Sequence, residues 1–139
     1  MDTVFLIARI LLAVIFLLSA VGHVANANAM AQYADYKGAP GGKAGVIASG
    51  IAMGVGGLMI LLGVYGEIGA LLIAATLIPI TFFMHAFWKE SDPQARQTEQ
   101  ISFNKNLGLI GGALALFLLF ASQGAAAGLT ITEPLITIA

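Results

Sequence analysis

"AGVIASGIAMGVGGLMILLGVYGEIGALLIAATLIPITFFMHAF", residues 44–87, decides the fold. A hydrocarbon core about 30 Å thick is crossed by about 20 apolar residues of helix, and this stretch holds two such lengths, 44–64 and 68–87. Only "YGE", residues 65–67, separates them, so the two form an antiparallel hairpin. Strands of a membrane barrel would alternate polarity in segments of about ten residues. These runs are apolar on nearly every face, which predicts helices.

Beyond the hairpin lie two more lengths of the same kind, 4–24 and 103–122. The expected fold is all-α: a polytopic membrane four-helix bundle over residues 1–124, followed by a tail, 125–139. Composition agrees, because 59% of the 139 residues are hydrophobic and 9% charged, against roughly 45–50% and 25% in a soluble domain. With no cysteine, the chain carries no disulfide, thiolate zinc site, cysteine-ligated iron–sulfur cluster or thiol relay. A net charge of -1 without a basic cluster excludes a nucleic-acid partner, since phosphate binding needs Lys and Arg.

Lys37 and Lys43 lie between the first two spans and Lys89, Arg96 and Lys105 between the last two; the other side has only Arg9, within a span. The positive-inside rule then puts the long connections in the cytoplasm and both termini outside, in a bacterial-type inner membrane. Asp35, Glu90, Asp92 and Glu99 count for little in that rule. The stretch "ARILLAVIFLLSAVGHVANANA", residues 8–29, resembles a secretory signal. Asp2 offsets Arg9 and the basic residues just downstream oppose export, so the segment is expected to stay as the first helix.

Helices in lipid associate through close contact of small residues. Gly50, Gly54 and Gly57 of the second span and Gly108 and Gly112 of the fourth are expected to pack those two spans together. Pro79 interrupts the third span, with Thr76 and Thr81 near a possible bend.

The few polar residues inside the spans fall into stripes at 3.6 residues per turn. Glu67 and His85 share a face of the third span, Lys105 and Gln123 a face of the fourth, and Arg9, Phe16 and His23 a stripe of the first. Depth sorts them into two layers: Arg9, Glu67 and Gln123 on the side of the termini, His23, His85 and Lys105 on the side of the long connections. Arg9 is expected to form a structural ion pair with Glu67, because a lone charge there is costly. Trp88 and Tyr65 read first as interfacial anchors. Two histidines without a third ligand make a poor metal site, so no metal is expected.

The stretch "FFMHAFWKESDPQARQTEQISFNKNLGLIGGALAL" resembles the signature of the DoxX family: F-x-H-x-F-W ending the third helix, a polar connection containing Gln, then F-x-K-N leading into L-x-L-x-G-G. "ARILLAVIFLLSAVGHV" is similar to the family's first helix, with His23 where a lysine is common. The positions that match are Arg9, His85, Trp88, Lys105, Asn106, Gly111 and Gly112. The resemblance implies a four-helix inner-membrane protein, and a family in which the related DoxD proteins are subunits of a thiosulfate:quinone oxidoreductase. It further implies that His85, Lys105 and Asn106, joined by His23 and Trp88, hold the polar head of a quinone or lipid at the cytoplasmic mouth.

Three functions compete on this reading. The first is a small accessory subunit of a quinone-linked membrane oxidoreductase, packed on a larger membrane complex that carries the electrons. The second is a lipid- or amphiphile-binding or assembly-assisting protein, alone or as a homo-oligomer. The third, a self-contained enzyme, ranks last: the chain has no nucleophile with a partner base and no phosphate loop, and it carries no covalently held cofactor. The tail, "LTITEPLITIA", alternates Thr with Ile or Leu like a strand and is expected to lie on a neighbour or on the bilayer surface.

Overall fold

The computed structural model describes residues 2–138. Met1 and Ala139, the outermost positions of the expected bundle and tail, lie outside the described residues. Five helices follow in order: α1 Asp2–Ala25, α2 Ala27–Tyr36, α3 Gly42–Leu62, α4 Gly66–Met84 and α5 Pro93–Gln123, with short 3-10 turns at Phe87–Lys89 and Gly124–Ala127. Four of them, all but α2, are long and apolar enough to cross a membrane. The chain is an integral membrane protein with an all-α polytopic fold.

Each end of the hairpin has a local cause. Gly63 takes the left-handed conformation (φ 66°) and stops α3, and Tyr65 (φ 46°) starts α4. Inside the hairpin the two backbones nearly touch: a Cβ added at Gly56 would stand 2.9 Å from the Gly69 carbonyl oxygen, and one at Gly69 2.9 Å from that of Gly56. Helix α4 runs on through Pro79, so the expected interruption does not occur. Thr76 and Thr81 instead return their hydroxyls to the carbonyls of Leu72 and Leu77, each at 2.7 Å.

Helix α5 begins ten residues before the expected span. Asp92 caps it by accepting from the Ala95 amide at 2.7 Å, and Pro93 occupies the first turn, where its missing N–H is no loss. Its 31 residues span about 46 Å at 1.5 Å per residue, half as long again as the hydrocarbon core. The polar residues 93–102 therefore project beyond the lipid, on the side of the long connections.

Around the bundle, α3 packs against α1 and α4, and α5 against α4. The glycine pairing expected between the second and fourth spans is not made. Gly50, Gly54 and Gly57 instead receive α1: added Cβ atoms would meet His23 Cβ at 2.6 Å, Ala20 Cβ at 3.2 Å and Leu17 at 3.4 Å. Gly108 meets nothing within 4 Å, and Gly112 meets only Leu12 of α1 at 3.7 Å. The cause is connectivity: a tight hairpin makes α4 the neighbour of α3, leaving the other side of α3 to α1. The core between the helices comprises Phe16, Met53, Ile60, Ile73, Leu77, Leu116 and Phe120. On the outside, Val4, Leu11, Leu18 and Val21 of α1 are 65–73% exposed, the face that hydrocarbon surrounds.

The expected ion pair between Arg9 and Glu67 is likewise absent, although both side chains are 1% exposed. Arg9 donates from Nε to the Ile60 carbonyl at 2.9 Å and from Nη2 to Leu61 at 2.7 Å. These carbonyls belong to the last turn of α3, where helix geometry leaves them bare and the dipole is negative. Nη1 reaches the Leu129 carbonyl at 2.9 Å, and the guanidinium lies 5.5 and 5.6 Å from the ring centroids of Phe5 and Phe120. Glu67 sits in the first turn of α4, near the positive end of that helix, and its Oε1 accepts from the Leu135 amide at 2.7 Å. Each charge is thus met by a helix end and by the tail rather than by the other charge.

The tail lies against its own bundle. The Ile131 and Thr132 amides donate to the Gly63 carbonyl at 3.0 and 3.2 Å, and Ile138 to Ala121 at 3.0 Å. No strand forms among the described residues. The alternating pattern serves to tuck individual groups against the end of the hairpin.

Candidate functional site

The connection between the first two spans contains α2, which span-counting passed over. Ala27, Ala31 and Ala34 recur on one face and are buried with Val46 of α3, so small side chains let α2 lie close against α3. Its end is a Schellman turn: the Ala39 amide donates to the Ala34 carbonyl at 2.9 Å and Gly38 (φ 72°) to Asp35 at 3.0 Å. That turn places Lys37, the last residue before the left-handed glycine, over the end of α5.

A charged cluster results. Glu99 Oε1 accepts from Tyr33 Oη at 2.6 Å and from Lys37 Nζ at 2.8 Å, while Oε2 lies 2.8 Å from His85 Nδ1. Lys37 also donates to Glu90. Four segments are joined here: α2, the end of α4, the 3-10 turn and the projecting part of α5. Burial alone would raise the Glu99 carboxyl, but hydrogen bonds from Lys37, Tyr33 and His85 outweigh it and hold the pKa at about 2. Burial would likewise lower Lys37, yet its bonds to Glu90 and Glu99 raise it above the usual lysine value. Tyr33 is raised, by burial and by its bond to the Glu99 carboxylate.

Beside this latch is a cavity of about 490 Å³. Met30, Tyr33 and Ala34 of α2, Val46 and Ser49 of α3, Thr76, Pro79, Ile80, Phe83 and Met84 of α4, and His23 of α1 line it. The walls are almost wholly apolar, and Pro79 and Phe83 at its side are exposed on the outer face of α4. The volume suits the head and first part of a membrane amphiphile. His23 is fixed by its Nδ1, 2.7 Å from the Ser19 carbonyl, and by the close approach to Gly50.

Of the five residues expected at the mouth, only His23 is among those that line the cavity. His23 lines the cavity, whereas His85 is engaged by Glu99. Trp88, 49% exposed, packs in an aromatic group with Phe87, Phe103 and Phe82, at centroid distances of 5.1, 5.6 and 6.5 Å, as an interfacial anchor would. Asn106 is buried, but Lys105 is exposed. The inward stripe of α5 is Glu99, Asn106, Ala113 and Phe120, seven residues apart and all buried. Lys105 is one residue out of phase with it, a turn of about 100°. Gln123 is exposed as well, so neither polar residue of the face expected through Lys105 and Gln123 points inward.

Tyr33, Lys37, Glu90 and Glu99 are the residues that sequence reasoning missed. One signal was available: the seven-residue spacing through Asn106 and Ala113 extends back to Glu99, and Asp92-Pro93 marks a helix start that makes the extension helical. No group of three or more His, Asp or Glu side chains is placed to hold a metal among the described residues.

The DoxX family model matches residues 4–86. It covers α1 through α4, including Arg9, the cavity walls, Glu67 and His85, and it ends before Trp88, Lys105, Asn106, Gly111 and Gly112. No curated protein and no solved structure matches the chain. Since the match takes in more than half of the 139 residues and all of the hairpin on which the bundle is built, this chain belongs to the DoxX family.

Proposed function

We propose that this DoxX chain is a small non-catalytic membrane subunit whose cavity holds the head of an amphiphile, a quinone-type molecule or a lipid, for a larger membrane oxidoreductase. The observation that carries the reading is the apolar cavity of about 490 Å³, bounded by four helices and fitted with isolated polar groups at His23, Tyr33, Ser49 and Thr76. These side chains bind and orient, and none of them transfers electrons. A partner supplies the redox centre. With the long connections cytoplasmic, the cavity lies in the inner leaflet of a bacterial-type inner membrane.

Purification in mild detergent followed by solvent extraction and mass spectrometry tests this. The wild-type chain retains a stoichiometric amphiphile, and Ser49→Phe, which fills the cavity, loses it while remaining folded. Equal retention by both proteins overturns the cavity reading. A co-purifying flavin, haem or iron–sulfur protein supports the subunit role. A homogeneous chain with lipid alone supports a second reading, in which the protein is an amphiphile carrier or assembly factor; the same cavity favours it.

A further inference from the structure

The four polar side chains that line the cavity, His23, Tyr33, Ser49 and Thr76, share one property: each has already committed a hydrogen. A backbone carbonyl only accepts, so Nδ1 of His23 carries a proton toward the Ser19 carbonyl at 2.7 Å, the tautomer in which Nε2 is the ring's acceptor. Ser49 Oγ donates to the Val46 carbonyl at 2.9 Å and Thr76 Oγ1 to Leu72 at 2.7 Å. Tyr33 Oη donates to the Glu99 carboxylate at 2.6 Å. What remains on all four is acceptor capacity. No lysine or arginine is among the lining residues.

We infer that the cavity selects an amphiphile whose head is a neutral hydrogen-bond donor, a hydroxyl on an apolar body, over one that presents carbonyls or phosphate. The inference rests on the amphiphile-binding reading above and sharpens it. A quinone carbonyl brought against His23, Ser49 or Thr76 meets lone pairs with lone pairs and leaves both sides unpaired in an apolar wall. A phosphate meets no cation. A hydroquinone or a lipid alcohol supplies what these groups lack, because its O–H can donate to His23 Nε2. Sites built to pair with a hydroxyl discriminate strongly against analogues that lack one.

The test uses the full chain in nanodiscs under argon, with four probes: a decyl-substituted benzohydroquinone, its quinone, its dimethyl ether, and dioleoylglycerol as a lipid alcohol. Binding is read from ligand retained per protein across a concentration series. The hydroquinone is expected to bind at least tenfold tighter than the quinone and the dimethyl ether. Competition by dioleoylglycerol identifies lipid alcohols as a source of the hydroxyl; its failure to compete identifies an aromatic diol. Either result supports a donor head. His23→Phe, which keeps a ring in place but removes the acceptor, is expected to lower the preference at least threefold, and Ser49→Ala with Thr76→Val to lower it further. Equal binding of hydroquinone, quinone and diether overturns the donor inference while leaving the cavity occupied. Retention of no probe, by wild type or Ser49→Phe alike, overturns the cavity reading itself.

Discussion

Replacing Glu99 by alanine tests whether the charged cluster holds α2 in place. The carboxylate is the shared acceptor for Tyr33 at 2.6 Å, Lys37 at 2.8 Å and His85 at 2.8 Å. Lys37 retains Glu90 after the change, but Tyr33 and His85 lose their hydrogen-bond partner on α5. Removing one member of a buried charge pair costs roughly 3–5 kcal/mol. The Glu99 carboxyl, moved from 4.5 to about 2, gives a second route: at ~1.36 kcal/mol per pKa unit the shift corresponds to about 3 kcal/mol. Water reaches part of the cluster, with Glu90 side-chain exposure at 20%, and that lowers the expectation to on the order of 2 kcal/mol. The assays are equilibrium unfolding in mixed micelles and amide hydrogen exchange over residues 27–36. Glu99→Ala should lose about 2 kcal/mol, and α2 should exchange faster than α3. A loss below about 0.5 kcal/mol with α2 exchange unchanged would falsify the latch. In a cycle with Lys37→Met, the double variant should lose less than the sum of the two single losses.

The same cluster sets a pH window. The Glu99 carboxyl is depressed in the fold, so its contribution is complete above about 4.5 and is lost as pH falls toward about 2. Lys37 is raised, so its share is complete below about 10.5 and is lost only above that value; α2 protection, corrected for the intrinsic pH dependence of amide exchange, should therefore fall as pH drops below about 4.5 and again as it climbs above about 10.5. Arg9→Ala removes the donors that hold the Leu129 carbonyl and the end of α3. Limited proteolysis should then cut the tail at least tenfold faster, and an unchanged rate contradicts the capping role. Gly66→Ala drives a methyl into the Phe120 ring, and overpacking of this kind costs roughly 1–3 kcal/mol. Phe120→Leu in the same chain should restore part of that loss in the same unfolding assay.

The membrane spans were readable because each is a long run of one chemistry, and the tripeptide at residues 65–67 leaves only one way to join two of them. Helix α2 was not, since its ten residues carry a mixed composition and its buried face is alanine, which marks no side as apolar. The partners of Arg9 are main-chain carbonyls, and a carbonyl belongs to every residue type, so only the position of a helix end identifies it. The cluster at Glu99 joins residues 66 and 62 positions apart in sequence, Tyr33 and Lys37 with Glu99. Lys105 shows how narrow the margin is: a phase error of one residue carried a cation from outside to inside on paper, while Asn106, its neighbour, is the residue that the bundle buries.

Arg9 also orders the assembly of the molecule in time. The ribosome makes the first helix long before the carbonyls of Ile60 and Leu61, and those of Gly128 and Leu129 last of all. A guanidinium that has left water must therefore wait in the nascent bilayer, drawn toward the headgroups, until the hairpin arrives and then until residues 128 and 129 emerge. A chain that stalls or is cut before Gly128 leaves its oldest charge half satisfied.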